Sequence, residues 1–447
     1  MTLETQKKIS NEMMISLSEN LLSKWYPLVI DNESGGYFTN LTTDMKLMPE
    51  QEKMIVTQAR HIWTLSKAAK FFDDHNFYSM AEHGFDFLSE KFWDRQFGGY
   101  FQIRDRNGEL CYKENWGTEK RTYGNAFAIY GLSALFQLTK NNIVLEQAKK
   151  SFQWIENHAY DSEYKGYFQF LTLDGTPFDK KSEYKTFATD AIECGFKDQN
   201  SSIHLLEAYT ELYNVWKDEK LKTQLHGLLT LIRDTITHPN GYLQLFFKRD
   251  WTPISFKNSP KEIREQNYRL DHVSFGHDYE TAFLMLEASH SLGIEKDKAT
   301  LNAAKKMIDH AIKNGWDYES GGFFDEGYYF DENDECTIIK DTKTWWQQAE
   351  ALNALLLFSK IFPDEKIYSE LFIKEWEYVK KYLIDHENGD WYWGSLEKEP
   401  FYKNEPKGSI WKGTYHNGRS LMNCINMLSD NEESISFIEH WKKIAED

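Results

Sequence analysis

The 447-residue chain is poor in proline, poor in cysteine and short of positive charge, and it has no long apolar run. Nine prolines in this length leave room for many uninterrupted helices, because proline removes a backbone donor and crowds the preceding turn. The four cysteines, Cys111, Cys194, Cys336 and Cys424, are scattered and show no Cys-x-x-Cys or Cys/His ligand spacing. That pattern argues against a disulfide framework or a zinc module and fits reduced thiols. A formal charge of −18 disfavours nucleic acid and anionic membrane as partners. No stretch of about 18 apolar residues occurs, and the polar segment from Met1 to Lys8 leads into no signal-type apolar region. The expectation is a cytoplasmic protein with no membrane partner. No Pro-, Gly- or Ser-rich linker divides the chain, so residues 1–447 are expected to form a single domain.

What the chain does have is aromatic residues, 16% of the total, with 15 Trp and 25 Tyr. Many sit in a phrase that recurs six times. It reads Gly35-Gly36-Tyr37-Phe38, Gly98-Gly99-Tyr100-Phe101, Gly166-Tyr167-Phe168, Gly241-Tyr242-Leu243, Gly321-Gly322-Phe323-Phe324 and Gly389-Asp390-Trp391-Tyr392. From Gly36 through Gly99, Gly166, Gly241 and Gly322 to Gly389 the steps are 63, 67, 75, 81 and 67 residues. A step of that size holds one helical hairpin with its loops. Between two phrases, residues 123–132 are nearly all small or apolar. Residues 142–158 place Leu145, Ala148, Phe152 and Ile155 at three- and four-residue steps. A helix that is apolar all round must be enclosed, whereas an amphipathic one faces water on one side. Six such pairs predict an all-α fold, an (α/α)6 barrel of six helical hairpins whose inner ring lines one pocket. Each phrase glycine would supply the positive φ of a helix stop or tight turn.

In a closed ring, equivalent positions converge on the axis. The predicted inner helices begin near Arg60, Tyr123, Asn200 with His204, His277, Trp345 or Trp346, and His416. Three histidines at equivalent places in three of six repeats are hard to assign to capping alone. Imidazole both takes and gives a proton near pH 7. Two of them on opposite faces of a carbon beside a carbonyl would invert that centre, and Arg60 would steady the enediolate. Glu280, three residues after His277, is placed to orient that imidazole or to join a metal site. No further ligand spacing supports a metal, however, and no cofactor fingerprint is evident. Glu207, one turn beyond His204, reads as structural.

These segments resemble the N-acylglucosamine 2-epimerase superfamily, in particular its cellobiose 2-epimerase and mannose 2-epimerase branches. The matching phrases are Ala59-Arg60-x-x-Trp63-Thr64, Tyr123-Gly124-x-Ala126-Phe127-Ala128 and Asn200-x-x-x-His204-x-x-Glu207-Ala208-Tyr209. They continue with Ser274-Phe275-Gly276-His277-Asp278-x-Glu280, Trp345-Trp346-x-Gln348-Ala349-Glu350 and Trp411-Lys412-x-x-Tyr415-His416-Asn417-x-Arg419. The resemblance implies the (α/α)6 barrel and a cofactor-independent sugar 2-epimerase. Such an enzyme interconverts glucose and mannose at the reducing end of a β-1,4-linked disaccharide such as cellobiose, through a cis-enediolate. It puts the two acid/base histidines on His277 and His416, ring opening on His204 and the enediolate contact on Arg60. Substrate contacts fall on Tyr123, Asn200, Glu280, Trp345 or Trp346, and Trp411.

A mannose 2-epimerase or an aldose–ketose isomerase acting on free monosaccharides would use nearly the same set. Hydrolysis needs two carboxyl groups flanking the bond, and the helix starts offer only Glu280 and Glu350. The implied partner is a small sugar, and the implied state a monomer or homodimer. The charged stretch from Trp251 to Arg269 and the loop from Glu397 to Lys407 are expected to reshape the pocket mouth.

Overall fold

The structure, a computed structural model, describes residues 1–111, 113–178, 195–330 and 335–446. Cys194 lies outside them. The other three cysteines are free thiols.

Helix α1 (Leu3–Ile15) runs on through a π-helical stretch into the single turn α2 (Ser23–Trp25). The next helices are α3 (Ile55–Phe72), α4 (His75–Phe87), α5 (Thr122–Thr139), α6 (Asn142–His158), α7 (Gln199–Val215) and α8 (Glu219–Leu231). They are followed by α9 (Lys261–Asp271), α10 (Phe275–Leu292), α11 (Lys298–Gly315), α12 (Trp345–Ile361), α13 (Lys366–Tyr382), α14 (Tyr415–Leu428) and α15 (Glu432–Glu446). The inner ring is α3, α5, α7, α10, α12 and α14. Each packs on the next, and α14 packs back on α3, so the ring closes. Helix α5 is buried at every position from Thr122 to Leu135, as a helix apolar all round requires. The amphipathic helices α4, α6, α8, α11 and α13 lie outside. The chain is therefore an (α/α)6 barrel rather than an open solenoid.

Each Gly-aromatic phrase joins an outer helix to the following inner one. A backbone bridge closes each loop: Ile30 to Tyr37, Trp93 to Tyr100, Tyr160 to Tyr167, Thr237 to Leu243, Trp316 to Phe323 and Ile384 to Trp391. All six marker glycines have positive φ, between 67° and 95°. At Gly99 a side chain is doubly excluded, because a Cβ would also lie 2.6 Å from the Trp154 ring.

Short antiparallel pairs run around the same end of the barrel. Strands β1 (Lys53–Met54) and β2 (Ile103–Arg104) pair, as do β3 (Glu119–Arg121) and β4 (Phe170–Thr172), and β5 (Lys197–Asp198) and β6 (Phe246–Phe247). The fourth set has three strands, β7 (Val273–Ser274), β8 (Glu326–Tyr329) and β9 (Cys336–Lys340). A bridge from Leu41 to Gly408 brings the first repeat against the sixth. Among the described residues no helix is long and apolar enough to cross a membrane.

A buried lysine fixes five of the six loops. Lys53, Lys120, Lys197, Lys343 and Lys407, each inaccessible to solvent, pair at 2.7–3.0 Å with Asp31, Asp94, Asp161, Asp317 and Asp385. The aspartate opens the loop and accepts from its backbone. Asp94 Oδ1, for example, takes the N–H groups of Gln96 and Phe97. In four repeats the lysine stands two residues ahead of the inner helix, Lys407 standing eight ahead of α14, and each also donates to a loop carbonyl, as Lys120 does to Gly98 at 2.5 Å. The fourth repeat is the exception. His238 stands at the aspartate position and Val273 at the lysine position, and its loop is one residue shorter.

A buried charge that loses its partner is destabilising by about 3–5 kcal/mol. Lys120→Met is therefore expected to lower unfolding stability by about that amount, measured by urea denaturation. A loss below about 1 kcal/mol, the range of an exposed pair, would contradict a pinning role for this ion pair.

Candidate active site

Arg60, Tyr123, Asn200, His204, His277, Glu280, Trp345, Trp346, Trp411 and His416 line one cavity of about 130 Å³. They come from all six inner helices or the residues just before them, at the barrel end that carries the Gly-aromatic loops. Buried side chains on the inner helices tie the loops to this wall. Gln58 exchanges two hydrogen bonds with the Tyr37 backbone, Asn125 with Tyr100 and Gln348 with Phe323. Asp278 accepts from Leu243 N, and Asn417 donates to Asp390. Each of these residues is one or two positions from a cavity residue.

The three imidazoles are all held through Nδ1. His204 Nδ1 lies 2.8 Å from Glu207 Oε2, and His416 Nδ1 lies 2.7 Å from Glu350 Oε1. Both carboxylates accept, so these rings carry a proton on Nδ1. His277 Nδ1 lies 2.8 Å from Ser274 Oγ, a hydroxyl that can donate or accept, so either tautomer is open to this ring. Among the described residues no Nε2 of the three has a partner. Trp346 packs against two of the rings, with centroids 4.8 Å from His277 and 5.6 Å from His416. Burial pulls the His277 imidazole down to about 3, helped by the neighbouring imidazoles. Burial, then Arg60, pulls His416 well below its ordinary value. Both rings are thus neutral at pH 7.

Arg60 supplies the cavity's positive charge. It donates to Tyr123 Oη at 3.0 Å and sits 4.3 Å over the Phe127 ring and 4.8 Å over Tyr415. It forms no ion pair among the described residues. Its charge is screened by aromatic faces rather than cancelled by a carboxylate, and so stays available to a developing anion. Four polar atoms of the cavity residues, Arg60 Nε, Asn200 Oδ1, Glu280 Oε2 and Trp345 Nε1, are buried without a protein partner. Trp345 is buried against Trp393 at 4.5 Å. Trp411 is 37% exposed at the mouth, edge-on to Trp116 at 6.1 Å.

Two expectations from the sequence are corrected. Glu280 does not orient His277. One turn along α10 carries it inward, where Arg419 Nη2 donates to its Oε1 at 2.6 Å, and the imidazole nearest to it is His416 at 3.9 Å. The stretches 251–269 and 397–407 contribute no side chain to the cavity wall. Helix α9 packs instead through Tyr268 on Tyr328, and Trp251 folds back to donate to the Tyr164 carbonyl.

Arg419 and Tyr415, behind the cavity, had no role in the expectations from the sequence. Arg419 is fully buried and pairs with Glu207, Glu280 and Glu350 together. The Tyr415 hydroxyl also donates to Glu207. Arg419 stands one turn after His416 on α14, a spacing that could have flagged it. Glu280, Glu350 and His416 offer ligand atoms within 4.8 Å of one another. The Oε1 atoms of both carboxylates are already taken by the Arg419 guanidinium.

The N-acylglucosamine 2-epimerase family model matches residues 36–418. The chain is 30% identical over 423 residues to a cellobiose 2-epimerase of Bacteroides fragilis, covering 94% of this chain and 99% of that one. It is 24% identical over 419 residues to a D-mannose isomerase of Marinomonas mediterranea, covering 92% and 96%. The solved cellobiose 2-epimerase of Bacillus thermoamylovorans superposes with a TM-score of 0.80 at 25% identity, covering 94% and 99%. With its barrel, its histidine-lined cavity and a family match over most of its length, the chain belongs to the N-acylglucosamine 2-epimerase family and is a carbohydrate epimerase/isomerase.

Proposed function

We propose that the protein inverts C2 of the reducing-end sugar of a β-1,4-linked disaccharide such as cellobiose, interconverting glucose and mannose configurations by proton transfer between His277 and His416. The observation that carries this reading is the pair of neutral imidazoles that both pack against Trp346. Each is anchored through Nδ1, and an uncancelled Arg60 shares their cavity.

The reaction begins with opening of the pyranose, with proton help from His204 or His277. One of His277 and His416 then takes the C2 proton through Nε2, and the electron pair moves into a cis-enediolate across C1 and C2. Arg60 stabilises that anion. Rotation about C2–C3 presents the other face, and the second histidine returns a proton to C2. One C–H bond breaks and one forms at the same carbon, so no electron acceptor is needed. By microscopic reversibility, the histidine that is the base in one direction is the acid in the other. The buried, unpartnered oxygens of Asn200 and Glu280 suit sugar hydroxyls as donors.

The cavity volume of about 130 Å³ is of the order of one sugar ring. A second ring would lie outside it, on the exposed face of Trp411. The same volume supports a second reading, in which a free monosaccharide is the substrate. Return of the proton to C1 in place of C2 would give a ketose.

Incubation in D2O with cellobiose, mannobiose, glucose, mannose and N-acetylglucosamine tests both. Deuterium at C2 with an intact glycosidic bond is expected for cellobiose. Released monosaccharides would contradict the proposal, and exchange confined to glucose and mannose would favour the second reading. Glu350→Gln keeps the shape but can donate to His416 Nδ1 and so allow the wrong tautomer. It is expected to lower kcat by roughly 10²-fold with little change in KM, measured by initial rates. An unchanged kcat would remove His416 from proton transfer.

A further inference from the structure

A second cavity, of about 510 Å³, lies at the other end of the barrel. Its walls are the C-terminal parts of the inner helices. Its cover is α15, which belongs to no hairpin and packs across α11, α12 and α14. Glu207 stands between the two cavities. It lines the lower one, yet one of its oxygens holds His204 and the other is taken by Tyr415 and Arg419. The lower cavity is therefore distinct from the candidate active site.

The lower wall is rich in carboxamides, with Asn214, Asn353, Asn423, Asn426 and Asn431 all facing it. Asn353 is the informative one. It is 0% exposed, and neither its Nδ2 nor its Oδ1 has a hydrogen-bond partner. Buried amide groups are almost always satisfied, and leaving both functions unmade is costly. His290 Nδ1, on the same wall, is also buried without a partner. The site thus offers unused donor and acceptor groups together.

Its charges cancel. Glu211 pairs with Lys67, and Glu207 with Arg419. Burial, then the nearby Glu211, pushes the Glu287 carboxyl up to about 8, so it is protonated at neutral pH. An ion finds no complementary charge there. Amides that donate and accept at once match hydroxyl groups, which do the same, and Phe283 and Phe437 add apolar faces.

We propose that this second cavity binds a neutral polyhydroxylated ligand of the sugar or alditol class, held by the Asn353 amide and the carboxamides around it. The proposal does not rest on the epimerase reading, because its test measures binding and not turnover. The full-length protein is titrated calorimetrically with trehalose, D-glucitol and myo-inositol, none of which has a reducing carbon to epimerise. At least one is expected to bind saturably. Asn353→Leu is expected to weaken that binding at least tenfold, and Trp411→Ala to leave it within about twofold. Should Asn353→Leu fail to fold by circular dichroism, Asn426→Ala serves in its place, with a loss of at least threefold expected. Density for the bound probe beside Asn353 in a soaked crystal would complete the case. The proposal is overturned if no probe binds, if density shows water only, or if binding survives the asparagine variants and disappears in Trp411→Ala.

Discussion

The rest of this structure depends on a short charged contact, a buried lysine ahead of an inner helix held by an aspartate in the neighbouring loop. Burying an ion pair is not a cheap source of stability, and apolar replacements often serve as well. What the pair supplies here is position. Lys53, Lys120, Lys197, Lys343 and Lys407 each bind both the aspartate and a loop carbonyl, so the loop cannot slide without unmaking both contacts. The loop in turn fixes the aromatic residue whose backbone is held from the inner helix by Gln58, Asn125 or Gln348. Pinning the helix starts one by one places one group after another on the barrel axis. In the fourth repeat, where His238 and Val273 replace the pair, Asp278 holds the loop through Leu243 and strand β9 adds a third member to the sheet.

One layer inward, a single arginine organises the chemistry. Arg419 draws Glu207, Glu280 and Glu350 together. Two of those carboxylates fix the Nδ1 protons of His204 and His416. Burial holds the His416 imidazole well below its ordinary value, so it stays neutral. Arg60, by contrast, is surrounded by rings and keeps its charge for whatever develops in the cavity. The site therefore separates a cation that orders its bases from a cation that faces its substrate. His277, backed by a hydroxyl rather than a carboxylate, is the less constrained of the two proposed bases.

Much of this was legible in the sequence because it is periodic. Six glycines at regular steps gave the hairpins, and the amphipathic pattern gave α6 its observed limits of Asn142 and His158. The eight residues named at the helix starts line one cavity because equivalent positions in a closed ring must converge, and Glu280 and Trp411, given as substrate contacts by the family resemblance, line it with them. Contacts between distant segments were not legible. The lysine–aspartate pairs join residues 22 to 36 positions apart, with intervals that vary as the loops do. Glu280 was misread because helical spacing shows which residues share a face but not how deep each lies. The charged stretch before His277 turned outward because Trp251 and Tyr268 found apolar partners on the barrel's exterior. Helix α15 carries no phrase and lay outside the repeat, so its role as a cover came only from packing.

The central claim is that His277 and His416 serve opposite faces of C2. It is tested most directly by one-sided exchange, in which His277→Ala and His416→Ala are each incubated in D2O with the glucose-configured and the mannose-configured disaccharide separately. The account predicts that neither variant epimerises. Each should still exchange the C2 proton of one epimer only, and the two variants should retain opposite epimers. Exchange retained on the same epimer by both variants, or epimerisation surviving in either, would contradict it.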